Sequence, residues 1–340
     1  MKRFLLLAVF LILIFVDVSS ADRVTMVEGK GRPVTGSIVL ITAEKVTVDV
    51  RGERQEIPAN IIAATSFDGE PAQLTAARNA MINSRIQEAI DALAKLNPNT
   101  LTKDGMKQDY AYLLAHAKAQ LVLAGGGDAT DAEKELSDFL KNFKNSYHYY
   151  EIHEVYGDLM VQLGRFDDAK TSYDVLAKAP WPEYSLKATV ALGIAEIHEN
   201  KADSAKKNFE TVLTSTDDSP QAERQKNIAK IGLALCMVAE KKHDEAIKAL
   251  EAIARESGGE DSAFQALVYN SLGNAYDRAD KPRDAVLAYM HTDILFSAAR
   301  SEHIKALMEL SKLWRKIQRS DRAEDVAKRL KDLYNVGARD

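Results

Sequence analysis

The chain has a single cysteine among its 340 residues, so no disulfide can form within it. This residue, Cys236, lies in the apolar string IGLALCMVA, a setting typical of a buried structural thiol rather than of a nucleophile. Without disulfides the fold depends on its hydrophobic core. Hydrophobic residues make up 46% of the sequence and charged residues 28%, which is the ordinary composition of a folded protein with a sizeable core.

The sequence also lacks an excess of basic charge. Its 45 Lys and Arg residues are outnumbered by 50 Asp and Glu residues, which gives a formal net charge of −5 at pH 7. Nucleic acids are bound mainly through basic surfaces that neutralise phosphates. The charge balance therefore argues against a nucleic-acid partner.

No apolar run is long enough to span a membrane, although the N-terminus comes closest. A basic pair precedes thirteen uninterrupted apolar residues, 4–16, whereas a spanning helix needs about 20. Ser19 and Ala21 follow, with small side chains at the two positions that a signal peptidase reads. We interpret residues 1–21 as a cleaved signal peptide, which leaves no stable membrane span in the mature chain. An uncleaved N-terminal membrane anchor is the alternative interpretation.

Export and the lack of disulfides together indicate a location. Disulfides are common in proteins of the eukaryotic extracellular space. An exported protein of this size without any disulfide is more typical of a bacterial cell envelope. The sequence therefore predicts a periplasmic or cell-envelope protein, secreted across the inner membrane.

Residues 22–70 alternate apolar and polar side chains with a period of two. The segments RVTMVE, VTGSIVLIT and KVTVDV are rich in Val, Ile and Thr, which favours half-buried strands. RGER, after Val50, predicts a hairpin turn into a short fourth strand that ends at Pro58, and a last strand is expected soon after. The unit is small for an independent domain, so we expect it to curl into a barrel or to dock on the rest of the chain. In strand order and length it resembles Sm-like or SH3-type small barrels.

After Pro71 the apolar residues recur at intervals of three and four, which predicts helices to the end of the chain. Within these helices an alanine returns at intervals of 36 to 41 residues, each time after an acidic or polar turn. The alanines of this series are Ala169, Ala205, Ala246, Ala285 and Ala323. A period of that length is typical of stacked helix pairs, and it extends backwards to Ala132 and Ala89.

One copy of this repeat, YEIHEVYGDLMVQLGRFDDAKTSYDVLAKAP, resembles a tetratricopeptide repeat. It has the small residue of the first helix, Gly157, and the turn residues Gly164 and Phe166. It also has the small and aromatic pair of the second helix, Ala169 and Tyr173. A second copy has Leu272, Gly273, Tyr276, Ala285 and Tyr289 at the matching positions.

This resemblance implies the fold class and the division of the chain. We expect a mainly α protein: a right-handed helix-pair solenoid preceded by a small all-β N-terminal module. The solenoid would occupy residues 71–340 with about seven helix pairs, after the β module of residues 22–70 and the signal peptide of residues 1–21.

In the tetratricopeptide repeat family the first helix of each pair lines the concave face. The repeat register then implies the residues that contact a ligand, namely Glu154, Asp158, Ile194, His198, Leu235, Asn270, Asn274, Lys305 and Lys312. Grooves of this family typically hold an extended peptide or a partner helix, and an asparagine such as Asn274 can hydrogen-bond a peptide backbone. The resemblance therefore implies a protein or peptide partner.

Motifs for catalysis, cofactors or metals are not found. YHYYEIHE contains His148 and His153, but their five-residue spacing does not put both imidazoles on one helical face, unlike the zinc motif H-E-x-x-H. The glycines at 125–127 lack the strand and the Gly-Lys-Ser/Thr sequence of a phosphate loop, so they indicate a turn between helices. We expect no enzyme activity, no cofactor and no metal.

The sequence as a whole predicts an exported, non-enzymatic scaffold that mediates protein–protein interactions in the bacterial cell envelope. A different class of function remains as the alternative, a self-assembling structural or assembly subunit of the envelope. Such a subunit would associate with itself through the exposed ends of the solenoid.

Overall fold

The structure is a computed structural model, which describes residues 21–256, 261–334 and 336 of the chain. Apart from Ala21, the predicted signal peptide of residues 1–21 lies outside the described residues. The described chain begins with a small antiparallel sheet and continues as a helical solenoid, as the sequence predicts.

The five strands form one antiparallel sheet in the order β4-β3-β2-β1-β5. They are β1 (Asp22–Met26), β2 (Val34–Ile41), β3 (Lys45–Val50), β4 (Glu53–Pro58) and β5 (Ile62–Ser66). The predicted turn after Val50 is confirmed: Arg51 and Gly52 both have positive φ, 58° and 89°, as a tight two-residue hairpin requires. The backbone N–H of Gly52 also donates a hydrogen bond of 2.7 Å to the Asp49 carboxylate.

Fourteen helices follow within the described residues. They are α1 (Ala72–Ile82), α2 (Ile86–Ala94), α3 (Asp104–Leu123), α4 (Ala129–Asn142), α5 (Tyr149–Gln162), α6 (Phe166–Leu176), α7 (Pro182–His198), α8 (Ala202–Leu213), α9 (Pro220–Ala239), α10 (His243–Glu256), α11 (Ser262–Arg278), α12 (Pro282–Leu295), α13 (Arg300–Lys316) and α14 (Ser320–Tyr334). Neighbours pack as seven pairs, from α1 with α2 to α13 with α14. None of the described helices combines the length and the apolar character needed to cross a bilayer.

The same backbone turn joins the helices in six of these pairs. Three residues separate the two helices, and the middle one has a positive φ between 54° and 71°. These middle residues are Ser84, Gly164, Asn200, Lys241, Asp280 and Gln318. The next residue donates its N–H to a carbonyl five residues earlier, for example Arg165 to Met160 at 2.8 Å, which ends the first helix in a Schellman motif.

Within the pairs, glycines of the first helix receive aromatic rings of the second. A Cβ on Gly157 would lie 2.4 Å from the ring of Tyr173, so only glycine permits this approach. Phe209 of α8 extends the same contact to the next pair, because its ring meets both Gly193 of α7 and Gly232 of α9. Phe209 therefore fills the gap between two successive helix pairs.

The sheet docks on the helices through a buried polar cluster. The Thr65 hydroxyl of β5 donates to the Asp109 carboxylate of α3, at 3.1 Å from Oδ2, and lies 3.1 Å from the Tyr147 hydroxyl. Arg78 of α1 donates to the same carboxylate at 3.0 Å and to Glu70 at 2.8 and 3.1 Å. Because these charges are buried and paired with each other, the junction has one preferred arrangement.

Candidate functional site

The first helices of successive pairs form a continuous inner layer. From α1 through α13, each first helix contacts the next first helix, whereas no described second helix makes comparable contact with the next second helix. A row of helix pairs curves toward the side on which its members are closest. The first helices therefore line the concave side, and the residues expected to contact a ligand lie on α5, α7, α9, α11 and α13.

Two of these residues put carboxylates on α5. Glu154 forms an ion pair of 2.5 Å with Lys187 of α7. Asp158 accepts a hydrogen bond of 2.7 Å from the Tyr173 hydroxyl. Burial, and then the charge of Glu154, raise the pKa of Asp158 to about 7, while Tyr173 and Lys187 act in the opposite direction. Asp158 thus changes its charge near neutral pH.

The central part of the concave side is more apolar. Ile194 of α7 is 37% exposed, and Leu235 of α9 is half-buried against its neighbours. His198 is exposed at the end of α7. Burial, and then the positive charge of Lys305, lower the pKa of His198, so its imidazole is neutral at pH 7.

The asparagines of α11 have different environments. Asn274 is exposed. Asn270 is buried, and its side-chain amide donates to the backbone carbonyl and the carboxylate of Glu302 at 2.9 and 2.8 Å. Its own carbonyl oxygen accepts from the Thr292 hydroxyl at 2.9 Å. Asn270 therefore connects α11, α12 and α13, and its hydrogen bonds are made inside the protein.

The two lysines of α13 remain accessible. Lys305 and Lys312 are exposed, and each pairs with a glutamate three residues earlier, Glu302 at 2.7 Å and Glu309 at 2.8 Å. Surface pairs of this kind are weak and exchange readily with other partners. Both ammonium groups are therefore available to an incoming carboxylate.

The last helix pair approaches the early ones. Lys305 is close enough to lower the pKa of both Asp158 and His198, which lie on α5 and α7. Gly125, just after α3, has the Met308 side chain and Val336 within van der Waals distance, 3.5 Å from the position of a Cβ. The solenoid thus closes on itself where α13 meets the end of α3.

The residues of YHYYEIHE were assigned no site from the sequence, and the structure places His148 in a polar cluster. Its ring stacks on Tyr112 with a centroid distance of 3.4 Å, and it lies 3.6 Å from Asp109 and 3.4 Å from Glu151. Burial acts to lower the pKa of His148, but its hydrogen bonds with the two carboxylates raise it overall. The sequence signal for this cluster is weak, because only Glu151 is near His148 along the chain.

Residues 21–256, 261–334 and 336 contain no group of three or more His, Cys, Asp and Glu side chains placed to hold a metal ion. The two histidines of YHYYEIHE instead have separate partners. His148 lies between carboxylates, and Nδ1 of His153 lies 3.3 Å from the Ser172 hydroxyl.

Comparison with known families decides the nature of the repeat. Residues 176–310, from the end of α6 into α13, match the family model described as a tetratricopeptide repeat-like domain. This segment is a tetratricopeptide repeat-like domain. The predicted resemblance is thereby confirmed. Outside the matched residues, the turn between paired helices recurs at Ser84, Gly164 and Gln318, whereas the pair of α3 and α4 lacks it.

Several solved structures are similar to this chain, whereas no curated protein sequence matches it. A tetratricopeptide repeat protein from Parabacteroides merdae is 14% identical, with a TM-score of 0.47, 76% of this chain covered and 91% of that chain. A Rap protein complexed with competence and sporulation factor is 11% identical, with a TM-score of 0.49, covering 77% and 76%. NprR in complex with its cognate peptide NprX is 17% identical, with a TM-score of 0.43, covering 76% and 77%.

Proposed function

We propose that this protein is an exported, non-enzymatic scaffold that binds protein or peptide partners in the bacterial cell envelope. The observation that carries the proposal is the concave side of the solenoid, where carboxylates of α5 lie opposite ammonium groups of α13. Tetratricopeptide repeat-like solenoids present such extended concave surfaces to partners. A surface with both signs of charge and an apolar centre suits recognition of a polypeptide.

The width of the concave side limits the occupant. Because the last pair touches the end of α3, we infer that the concave side admits an extended segment rather than a folded domain. An extended peptide or a single helix is the appropriate size. The proposed contact residues are Glu154, Asp158, Ile194, His198, Leu235, Asn274, Lys305 and Lys312. Asn270 is not retained, because its amide is engaged within the protein.

The charges also orient the occupant. Basic side chains of a peptide would lie toward Glu154 and Asp158, and acidic side chains toward Lys305 and Lys312. Complementary charges of this kind contribute more to register and association rate than to affinity. Apolar peptide side chains would contact Ile194 in the centre.

Site-directed photo-crosslinking in cells tests the location of the partner-binding surface. We expect a photo-reactive amino acid at Ile194 to capture a partner. The matched control is the same amino acid at Leu333, which is 55% exposed on the second helix α14. Capture from Leu333 without capture from Ile194 would contradict binding in the concave side.

Export is supported by the position at which the sheet begins. β1 starts at Asp22, immediately after Ala21, and the buried Asp22 side chain accepts hydrogen bonds from the backbone of Ile38 and Asp68 at 2.9 and 2.8 Å. Cleavage after Ala21 would therefore leave the whole sheet in the mature protein. Mass spectrometry of the protein from a periplasmic fraction should give Asp22 as the first residue. A chain that retains Met1 would instead favour the N-terminal membrane anchor.

Self-assembly remains the second candidate function, and α12 favours it. Leu287, Ile294 and Leu295 are 58%, 65% and 62% exposed and share one face of this helix. A second copy of the chain would bury this stripe. Light scattering of the purified protein separates the candidates: the scaffold is expected to be monomeric, whereas a dimer that Leu287→Asp converts to a monomer would support self-assembly.

A further inference from the structure

The two free edges of the sheet differ in their protection against further strands. The β4 edge has the sequence ERQEIP, and charges and proline on an edge strand prevent another strand from pairing with it. The β5 edge has the sequence IAATS, with neither a charge nor a proline. Within the described chain β1 is the only strand that pairs with β5. Alternate residues of an antiparallel strand direct their N–H and C=O groups away from the partner, so β5 can accept one more strand at its exposed part around Ala63.

A cavity of about 180 Å³ lies beside this edge. Its walls include Ala63 and Ala64 of β5, Met81 and Ile82 at the end of α1, and Leu113 of α3. Ala63 is exposed at the cavity and Ile82 is 67% exposed, so the cavity is accessible from solvent. The small side chains of β5 leave room for one side chain from outside the protein.

The polar groups around the cavity are already paired with each other. Arg78 donates to Glu70 and Asp109, and the Tyr112 hydroxyl donates to Glu151 at 2.8 Å. The face of His148 is covered by its stack with Tyr112. A charged side chain that entered the cavity would therefore find no unpaired opposite charge. An apolar or aromatic side chain would contact methyl groups and ring edges.

We propose that the cleft formed by β5, the end of α1 and α3 binds an extended peptide segment of a partner protein. The peptide backbone pairs with β5 as a sixth strand, and one apolar or aromatic side chain of the peptide enters the cavity. Backbone pairing supplies affinity and the pocket supplies specificity, which is how strand-addition sites work. The cleft is formed by β5, α1 and α3, whereas the contact residues proposed above lie on α5, α7, α9, α11 and α13.

The test uses the full-length mature protein and two capped pentapeptides, TVFVT and TVAVT, as probes. Methyl NMR with labelled methionine follows Met81, which lies in the cavity wall. We expect TVFVT to shift the Met81 signal in a saturable manner, with an affinity about tenfold or more above that of TVAVT. Equal affinities, or no change at Met81 with either peptide, would overturn the proposal.

Two variants separate edge pairing from occupation of the cavity. Ala63→Lys adds a charge to the exposed β5 edge, and its matched control is Gln55→Lys on the exposed, already charged β4 edge. We expect Ala63→Lys to weaken TVFVT binding about tenfold and Gln55→Lys to leave it unchanged. Ala64→Phe fills the cavity and should abolish the Met81 shift in protein that melts as the parent does. Undiminished binding in Ala63→Lys would overturn the proposed strand pairing even if Ala64→Phe fails to fold.

Discussion

Individual glycines decide how closely the helices of a pair approach. Gly157 of α5 lies so near the Tyr173 ring of α6 that an added Cβ would sit 2.4 Å from it. Alanine is favoured over glycine by roughly 0.5–1 kcal/mol in mid-helix, so Gly157→Ala would stabilise the protein if space were available. We expect instead a net loss of about 1–3 kcal/mol in the free energy of unfolding, because the ring must move within a packed core. Urea unfolding monitored by circular dichroism measures this loss.

The double variant Gly157→Ala/Tyr173→Leu is the control for this contact. A smaller, more flexible side chain at position 173 leaves room for the new methyl group. We expect the double variant to lose less stability than the sum of the two single variants, by about 1 kcal/mol or more. Strict additivity would show that the methyl group and the ring do not meet.

Asp158 gives the protein a pH dependence of known sign. Burial raises the pKa of Asp158 from the ordinary value of an aspartate to about 7, so the folded state holds a proton that the unfolded state releases. Between about pH 4 and 7 this group therefore reduces stability as the pH rises. We expect Asp158→Asn, which cannot ionise, to stabilise the protein by at least about 1 kcal/mol more at pH 8 than at pH 5.

The matched control for this pH dependence is Asp174→Asn. Asp174 is an exposed aspartate on α6, next to Tyr173 in sequence but directed to solvent. Thermal unfolding of both variants across pH 5–8 should show a pH-dependent difference from the parent only for Asp158→Asn. The same profile for both variants would mean that Asp158 is solvated and titrates normally.

At the scale of elements, the backbone turn between paired helices was only partly readable from the sequence. The resemblance to the tetratricopeptide repeat identifies Gly164 as the turn residue of its pair. The equivalent positions of the other five pairs hold Ser84, Asn200, Lys241, Asp280 and Gln318, which have no common side-chain chemistry. The turn is maintained by backbone hydrogen bonds, so a side-chain pattern cannot identify it.

The unfavourable conformation of Lys241 offers a stabilising change. Lys241 has a φ of 62°, where a Cβ costs about 1–2 kcal/mol and glycine has no such penalty. Allowing for the greater chain entropy of glycine when unfolded, we expect Lys241→Gly to stabilise the protein by about 0.5–1 kcal/mol. Lys241→Ala is the control, since it removes the same charge but keeps the Cβ. Thermal unfolding should show a gain for glycine only, and an equal gain for alanine would attribute the effect to charge.

Strands and helices were predictable because each has its own apolar period, whereas their mutual placement was not. Alternation in residues 22–70 predicted the strands, and the recurring alanines predicted the pairs. The buried cluster of Thr65, Asp109 and Tyr147 joins three segments far apart in sequence. Each of these residues by itself is ordinary, and only the folded chain brings them together. Asn270 is a second example. Its position in the repeat predicts contact with a ligand, but its side-chain amide is enclosed by α12 and α13.

At the scale of the whole molecule, the solenoid is stabilised by a contact between its last helix pair and the end of α3. Ala124 at the end of α3 belongs to the same apolar cluster as Leu307, Leu310 and Val336. A repeat with contacts only to its neighbours would fray from the ends, since each terminal pair has one uncovered face. The contact with the end of α3 covers part of the last helix pair and sets the width of the concave side. It was not predictable from the repeat, because curvature accumulates from small rotations at every pair.

Disruption of this closing contact is expected to open the solenoid. Met308 is half-buried against Gly125, and Met308→Asp would place a charge there at a cost of about 1–2 kcal/mol in lost apolar contact, plus the cost of desolvating the carboxylate. A change of that size shifts the balance between closed and open forms about tenfold toward the open form. Small-angle X-ray scattering should then give a larger radius of gyration, and the amides near Gly125 should exchange hydrogen faster.

Ser301→Asp adds the same carboxylate at an exposed position of α13 and should leave both measurements unchanged. If Met308→Asp and Ser301→Asp gave identical scattering, the contact between Met308 and Gly125 would not determine the width of the concave side.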